Sequence, residues 1–345
     1  MRNTIILVSI MIAGCTLESS FPVPPVDITV GPLYSYINNP ILKVSESESD
    51  FDNQAVSSPS VVEINGKLIM YFTALNKEGT YSIGRAESTD GLIWIKNTSP
   101  VITPDIDGFS EIVVKEPAAL YDGEKVSLFF VSVTKDNKYR IMIASSSDTL
   151  NFMRSDVELI KVPQNDLKLV KLSEPSVIFN GDSLYMYYSA MDEDNRSFVF
   201  ASKASPENPL SWTPVNISPI LSPNTQDVNA FDHYSVMSPS VLTITTANNR
   251  QLIRMYYCGS TTETGAFHLG LAGSADGINF ERYIYNPILH YGRSPSAIVF
   301  NNNLYVYYNE LPDNESKGIS LATTIKLRRV FLHNSIRGNL YEAPL

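Results

Sequence analysis

The chain is poor in cysteine and histidine and has no concentrated positive charge. Only Cys15 and Cys258 occur in 345 residues, too few for a disulfide framework. Two of the four histidines, His233 and His268, stand in no metal-ligand spacing such as H-E-x-x-H, so neither a metal nor a cofactor is expected. Lys and Arg number 26 against 36 Asp and Glu, a formal charge of −10, and no basic cluster stands out. That balance argues against nucleic acid or an anionic membrane surface as the main partner. Apolar residues at i, i+3, i+4 and i+7 are scarce, which excludes a mainly helical chain. A hydrophobic content of 43%, with 19 Tyr and 15 Phe, excludes disorder.

One apolar run does open the chain. Residues 1–15, MRNTIILVSIMIAGC, combine a basic Arg2, an apolar stretch from Ile5 to Ile12 and small residues before Cys15. The stretch is too short to span a membrane and has the shape of an export signal over residues 1–14. The I-A-G-C ending resembles the bacterial lipobox, which implies lipidation of Cys15; an ordinary signal peptide is the alternative. Lipidation leaves Cys258 without a disulfide partner. Residues 15–33, rich in Ser and Pro, are expected to form an extended tether. Thr16 lacks the aspartate that retains lipoproteins at the inner membrane, so the expected address is the cell envelope, lipid-anchored at the outer membrane.

What fills the rest is a repeat. Ser58-Pro59, Glu116-Pro117, Glu174-Pro175, Ser238-Pro239 and Ser294-Pro295 each open an apolar strand, at intervals of 58, 58, 64 and 56 residues. A period of this length marks a repeat architecture. In each copy the proline begins the first strand, where no ladder donor is needed. A tight turn such as Asn65-Gly66 or Asn180-Gly181 leads to a Tyr-rich second strand (LIMYF, LYMYY, LYVYY). A third strand ends in small residues and a second turn, and a fourth closes near a Pro-apolar step: SPVI at 99–102, SPIL at 218–221, NPIL at 286–289.

An extra NPIL stands at 39–42, before the first full repeat, while the fifth repeat lacks such a tail. A ring closed by the N-terminal segment accounts for both. The expected fold is all-β, a five-bladed β-propeller of four-stranded blades over residues 34–345, expected as a monomer.

The first strand of each blade should line the axis, bringing Ser58, Glu116, Glu174, Ser238 and Ser294 to one mouth, with Lys115 and Arg293 one residue back. Paired carboxylates in a polar cleft suit glycosidic bond cleavage, one donating a proton and the other acting as base or nucleophile. Equally, they suit a solvated or salt-bridged lining. Upstream, FDNQAVSSPS (51–60) and FDHYSVMSPS (231–240) share a register. Asp52 and Asp232 are either turn residues or functional, Asp52 as a base and Asp232, His233 and Tyr234 as a substrate-binding group. Tyr234 and Tyr291 are candidates for stacking on sugar.

The S-x-D-G-x-x-W/F turns (Ser88 to Trp94, Ser274 to Phe280, degenerate at Ser146 to Phe152) resemble the Asp-box turns of sialidases and are read as structural hairpins on the outer rim. Together with the X-Pro first strands, MYY second strands and NPIL tails, they give residues 34–345 a resemblance to the five-bladed glycosidases of the arabinanase, levansucrase and invertase type, glycoside hydrolase families 43, 32, 68 and 117. The resemblance implies hydrolysis of oligo- or polysaccharide. It makes Glu174 the candidate general acid, Glu116 the second carboxylate and Asp52 a relocated base. Arg293, Asp232, His233, Tyr234, Ser58 and Ser238 are then substrate-binding candidates. In family 43 the base is an Asp directly before the first blade's proline; here Ser58 holds that position. The alternative is a non-catalytic carbohydrate-binding lipoprotein on the same scaffold, or a platform for protein partners.

Overall fold

The computed structural model describes residues 27–105, 108–246, 250–310 and 318–325, and a short backbone pairing of Arg328–Arg329 with Glu342–Ala343. Cys15 and the export signal lie outside the described residues. Five antiparallel sheets follow one another in chain order around an axis. Blade one is built from Ala55–Ile64, Lys67–Leu75, Tyr81–Ser88 and Ile95–Lys96; blade two from Glu111–Tyr121, Val126–Thr134, Tyr139–Ser146 and Met153–Arg154. Blade three comprises Leu169–Asn180, Ser183–Asp192, Ser197–Ser205 and Asn208–Pro214, and blade four Ser235–Thr245, Gln251–Ser260, Phe267–Ser274 and Glu281–Arg282. Gly292–Phe300, Asn303–Glu310 and Gly318–Thr323 form three strands of blade five. The fold is the expected five-bladed propeller.

The N-terminal segment closes the ring. In blades one to four the apolar tail after the fourth strand bridges the third strand: Ile102 to Ile83, Ile160 to Ile141, Leu221 to Val199 and Leu289 to Leu269. In blade five Leu42 makes this contact with Ile319, and Tyr34–Ser35 pairs with Ala322 and Thr323 as the fourth strand. A closed ring leaves no long sheet edge for another chain to pair with. The blade-two tail, Leu159–Ile160, lacks the proline of its counterparts and was not recognisable from the motif.

Aromatic side chains join the blades. Trp94, Phe152, Trp212 and Phe280, each following a third-to-fourth-strand turn, meet edge-on Tyr307, Tyr71, Phe129 and Tyr187 of the preceding blade, at 5.5–5.9 Å. The three tyrosines, Tyr307, Tyr71 and Tyr187, also donate a hydroxyl hydrogen bond to a turn carbonyl, of Gly91, Thr149 and Gly277 respectively. Tyr71, Phe129, Tyr187 and Tyr307 are fully buried, each contributing about 1.5–3 kcal/mol from hydrophobic burial alone. The turns expected on the outer rim are therefore also seam elements. At the last seam Tyr256 donates to the Thr29 carbonyl, and Asp27 pairs with Arg254 at 2.8 Å. The Arg254 pairing and the Thr29 hydrogen bonds hold Asp27 below the usual carboxylate range against the opposing effect of burial. The last part of the expected tether thus belongs to the propeller: from Asp27 onward it fills a seam, and Val30 and Leu33 pack on the core. No helix among the described residues is long and apolar enough to cross a membrane.

Candidate functional site

All five residues before the strand-opening prolines have left-handed backbone, with φ of 47° at Ser58, 54° at Glu116, 52° at Glu174, 54° at Ser238 and 50° at Ser294. Each sits in a register break between the first and second strands, such as Ser57/Ser60 or Ser173/Ser176. Proline disfavours the right-handed helical region for the residue before it, and a bulge re-aims the side chain of its extra residue. Left-handed backbone costs a non-glycine residue on the order of 1 kcal/mol, and here that cost recurs around the ring. The result is a small axial cavity of about 30 Å³ lined by those five residues and their prolines.

Two rings of hydrogen bonds hold the cavity. In the first, the backbone N–H of the pre-proline residue donates to a second-strand side chain of the preceding blade. Ser58 donates to Asn309 Oδ1 (2.9 Å), Glu116 to Thr73 Oγ1 (2.8 Å) and Ser238 to Ser189 Oγ (2.8 Å), while at the blade-four position the Cys258 thiol donates to the Gly292 carbonyl at 3.7 Å. In the second ring the serine after the proline accepts a backbone N–H of the next blade: Ser60 from Ala119, Ser176 from Val241, Ser240 from Ala297 and Ser296 from Val61.

Both rings are interrupted at the seam between blades two and three. Val131 stands where Thr73 and Ser189 supply acceptors, and Ala118 stands where the other blades carry serine. Glu116 fills the gap: its Oε2 accepts the Glu174 N–H at 2.9 Å. Its Oε1 pairs with Lys115 Nζ at 2.9 Å, and the Glu116 charge is the main cause holding the Lys115 ammonium above its ordinary pKa.

Glu174 is buried and acts as a hub. Its Oε2 accepts from Ser189 Oγ (3.1 Å), and its Oε1 from Ser238 Oγ (2.5 Å) and Ser294 Oγ (3.3 Å). One carboxylate thereby links blades three, four and five. Arg293 lies with its guanidinium over the Phe267 ring at 4.9 Å. Burial works against its charge, but nearby negative groups led by Glu174 raise its pKa overall. Lys115 and Lys171 both approach the Tyr139 ring, at 5.6 and 5.5 Å.

The upstream candidates lie elsewhere. Asp52, 2% exposed, is a buried ion-pair partner of Lys96 at 2.5 Å and does not line the axial cavity. Asp232, 1% exposed, accepts from Tyr257 and pairs with Arg282 at 2.7 Å. Each fastens an entry loop to the fourth strand of its own blade, which accords with the structural reading of both aspartates. Blade two does the same with Glu111, which takes Arg154 on both oxygens at 2.7 Å. That counterpart was missed because it carries Glu and a different spacing. His233 Nδ1 lies 3.1 Å from the carbonyls of both Asn224 and Asp227, holding the entry loop. Tyr234 donates its hydroxyl to the Asp194 carbonyl of blade three. Neither reaches the cavity lining. Ser58 and Ser238 do reach it.

Tyr291 is 56% exposed and its ring lies 5.5 Å from His268, which packs edge-on against His290. Burial and the neighbouring His290 lower the His268 pKa. Among the described residues no cluster of His, Cys, Asp and Glu could hold a metal ion. Lys171 was also missed from sequence, because it lies three residues before the pre-proline position and carries no motif.

No known family model and no curated protein matches the chain. Solved structures do. A glycosyl hydrolase from Bacteroides ovatus superposes with a TM-score of 0.67 at 18% identity, over 84% of this chain and 92% of that one. A structure from work on family 130, whose mannoside phosphorylases include glycoside hydrolases that target β-1,2 mannosidic linkages in Candida mannan, gives 0.67 at 16% identity, over 84% and 93%. The chain shares its fold with these glycoside hydrolases. A thermostable family-43 glycoside hydrolase agrees, with a TM-score of 0.61 at 15% identity over 88% of this chain and 96% of that one. The axial mouth holding Glu116 and Glu174 is the candidate functional site of this propeller.

Proposed function

We propose that the protein is a glycoside hydrolase acting on oligo- or polysaccharide at the axial mouth. The observation that carries this reading is the pair of carboxylates in neighbouring blades, Glu116 and Glu174, lining the axial cavity of a propeller glycosidase fold. Glu174 is assigned the general acid, donating its proton to the leaving glycosidic oxygen. Glu116, paired with Lys115, is assigned the second carboxylate, acting on water or on the anomeric carbon. Export and lipid anchoring through Cys15 are part of the same proposal, and rest on the I-A-G-C leader alone.

A second reading, a glycan-binding protein without turnover, is favoured by the engagement of both carboxylates in internal hydrogen bonds and by the small cavity between them. The deciding experiment screens the propeller against aryl glycosides and oligosaccharides, with Glu174→Gln alongside. Hydrolysis by the wild type that is lost in a folded Glu174→Gln supports the enzyme, and an equally active variant removes Glu174 from the mechanism. A silent wild type stabilised by sugar against heat supports the binding protein.

A further inference from the structure

The mouth gathers positive charge on a chain whose formal charge is −10. Lys115 pairs with Glu116, Lys171 shares the Tyr139 ring with Lys115, and Arg293 directly precedes Ser294 of the cavity lining; of the three, only Lys115 has an ion-pair partner among the described residues. Arg293 is the unusual member. Its guanidinium carbon lies 4.9 Å from the centre of the Phe267 ring, and none of its N–H groups finds an acceptor among the described residues. The buried polar atoms lacking partners lie elsewhere, on Asn53, Arg85, Arg140 and Arg154, so the Arg293 nitrogens reach solvent.

A half-buried cation without a hydrogen-bonded partner is costly to maintain. Elsewhere in this protein the arginines at comparable depth are paired: Arg154 with Glu111, Arg282 with Asp232 and Arg254 with Asp27. Arg293 alone among these four has no carboxylate partner among the described residues. Guanidinium presents a rigid planar fork that matches a carboxylate in two parallel hydrogen bonds, a geometry an ammonium cannot reproduce. The Phe267 ring packed against it limits where that fork can swing before any ligand arrives.

We infer that Arg293 is a specificity-determining residue that receives the carboxylate of an acidic sugar, so that the mouth takes uronate-bearing oligosaccharide in preference to neutral glycan. The inference rests on the proposed sugar site and names its substrate class. Lys171, beside Tyr139, adds a second and weaker attraction that is screened by salt.

The test compares binding of three probes by calorimetry: a uronic-acid oligosaccharide, the same oligosaccharide with its carboxyls reduced to alcohols, and inorganic phosphate. Wild type, Arg293→Gln and Arg293→Lys are measured in each case. The wild type is expected to bind the acidic oligosaccharide about tenfold or more tightly than the reduced one, in line with a charge-assisted bidentate pair of roughly 1.5–3 kcal/mol. Arg293→Gln should abolish that preference, so that the acidic and reduced forms bind alike. Arg293→Lys, which keeps charge but not the fork, should retain only part of it. Equal affinity for both oligosaccharides in the wild type overturns the inference and leaves the glycosidase reading standing. Phosphate that binds through Arg293 and does not compete with the acidic oligosaccharide reassigns the fork to a free anion and also overturns it. Failure of every oligosaccharide to bind or to be cleaved removes both the inference and the site it rests on.

Discussion

Glu116 accepts the backbone N–H of Glu174 through Oε2 at 2.9 Å, in place of an acceptor that Val131 cannot provide. At the equivalent point of other seams Thr73, Ser189 and Asn309 do this work. The second candidate carboxylate is thus also the clasp between blades two and three. Its two oxygens have different partners, Lys115 on one and the Glu174 backbone on the other.

Glu116→Ala should therefore lower stability as well as activity, by about 1–3 kcal/mol for a buried N–H left without a partner. Adding Val131→Thr restores an acceptor of the kind Thr73 supplies. Urea denaturation should show most of the lost stability recovered in the double variant while activity stays absent. An Glu116→Ala protein as stable as the wild type would contradict the clasp.

Glu174→Ala should be more damaging to the fold than Glu174→Gln. Alanine strands the hydroxyls of Ser189, Ser238 and Ser294, whereas glutamine keeps one acceptor oxygen. The expected difference in unfolding free energy is on the order of 2 kcal/mol. Equal stability of the two variants would mean that the serines find other partners.

Asp52 is expected to matter for stability and not for chemistry. Asp52→Asn removes one side of a buried ion pair with Lys96, a loss on the order of 3 kcal/mol. Turnover measured well below the melting temperature should stay within about twofold of the wild type, which corresponds to less than ~0.5 kcal/mol of barrier. A folded variant with turnover reduced a hundredfold would return Asp52 to the mechanism.

The Asp276 turn supplies a pH signature. Backbone N–H groups of Asn279 and Ile278 hold the Asp276 carboxyl far below the usual range. A carboxyl depressed by folding contributes its stability above its unfolded value, near 3.9, and loses it as pH falls through the folded value. Asp276→Ala should lower the melting temperature at pH 7 by about 2–4 °C, and the gap to the wild type should narrow progressively below about pH 4. A gap independent of pH would deny the carboxylate its role.

Cys258 should be silent in the native protein. Burial drives its thiol far above the ordinary range, and it lies in the second strand of blade four, where it donates to the Gly292 carbonyl. In a Cys15→Ala background a disulfide reagent should find no thiol until urea is added, and then one.

The repeat made the architecture legible. Alternating strands, turn pairs and a displaced NPIL tail follow from short-range rules that every blade obeys, so Leu42 could be assigned to the last sheet before its contact with Ile319 was seen. The pre-proline positions were legible for the same reason, since proline fixes where the first strand begins and hence which residue meets the axis. Side-chain partnership was not legible. Asp52 and Asp232 share a motif with functional promise, yet each is satisfied by a cation about 44–50 residues away on its own blade's outer strand. The Glu116 clasp depends on what is missing at Val131, in a strand beside it, and Arg293 is singled out by the acceptors it does not have. Sequence alone determined the blades, their order and their closure, because hydrophobic period and turn chemistry act locally. Only the tertiary structure decided which charged groups are spent on holding the ring and which are left to meet a ligand, because a charge is satisfied by whatever lies within about 3 Å of it and not by its neighbours along the chain.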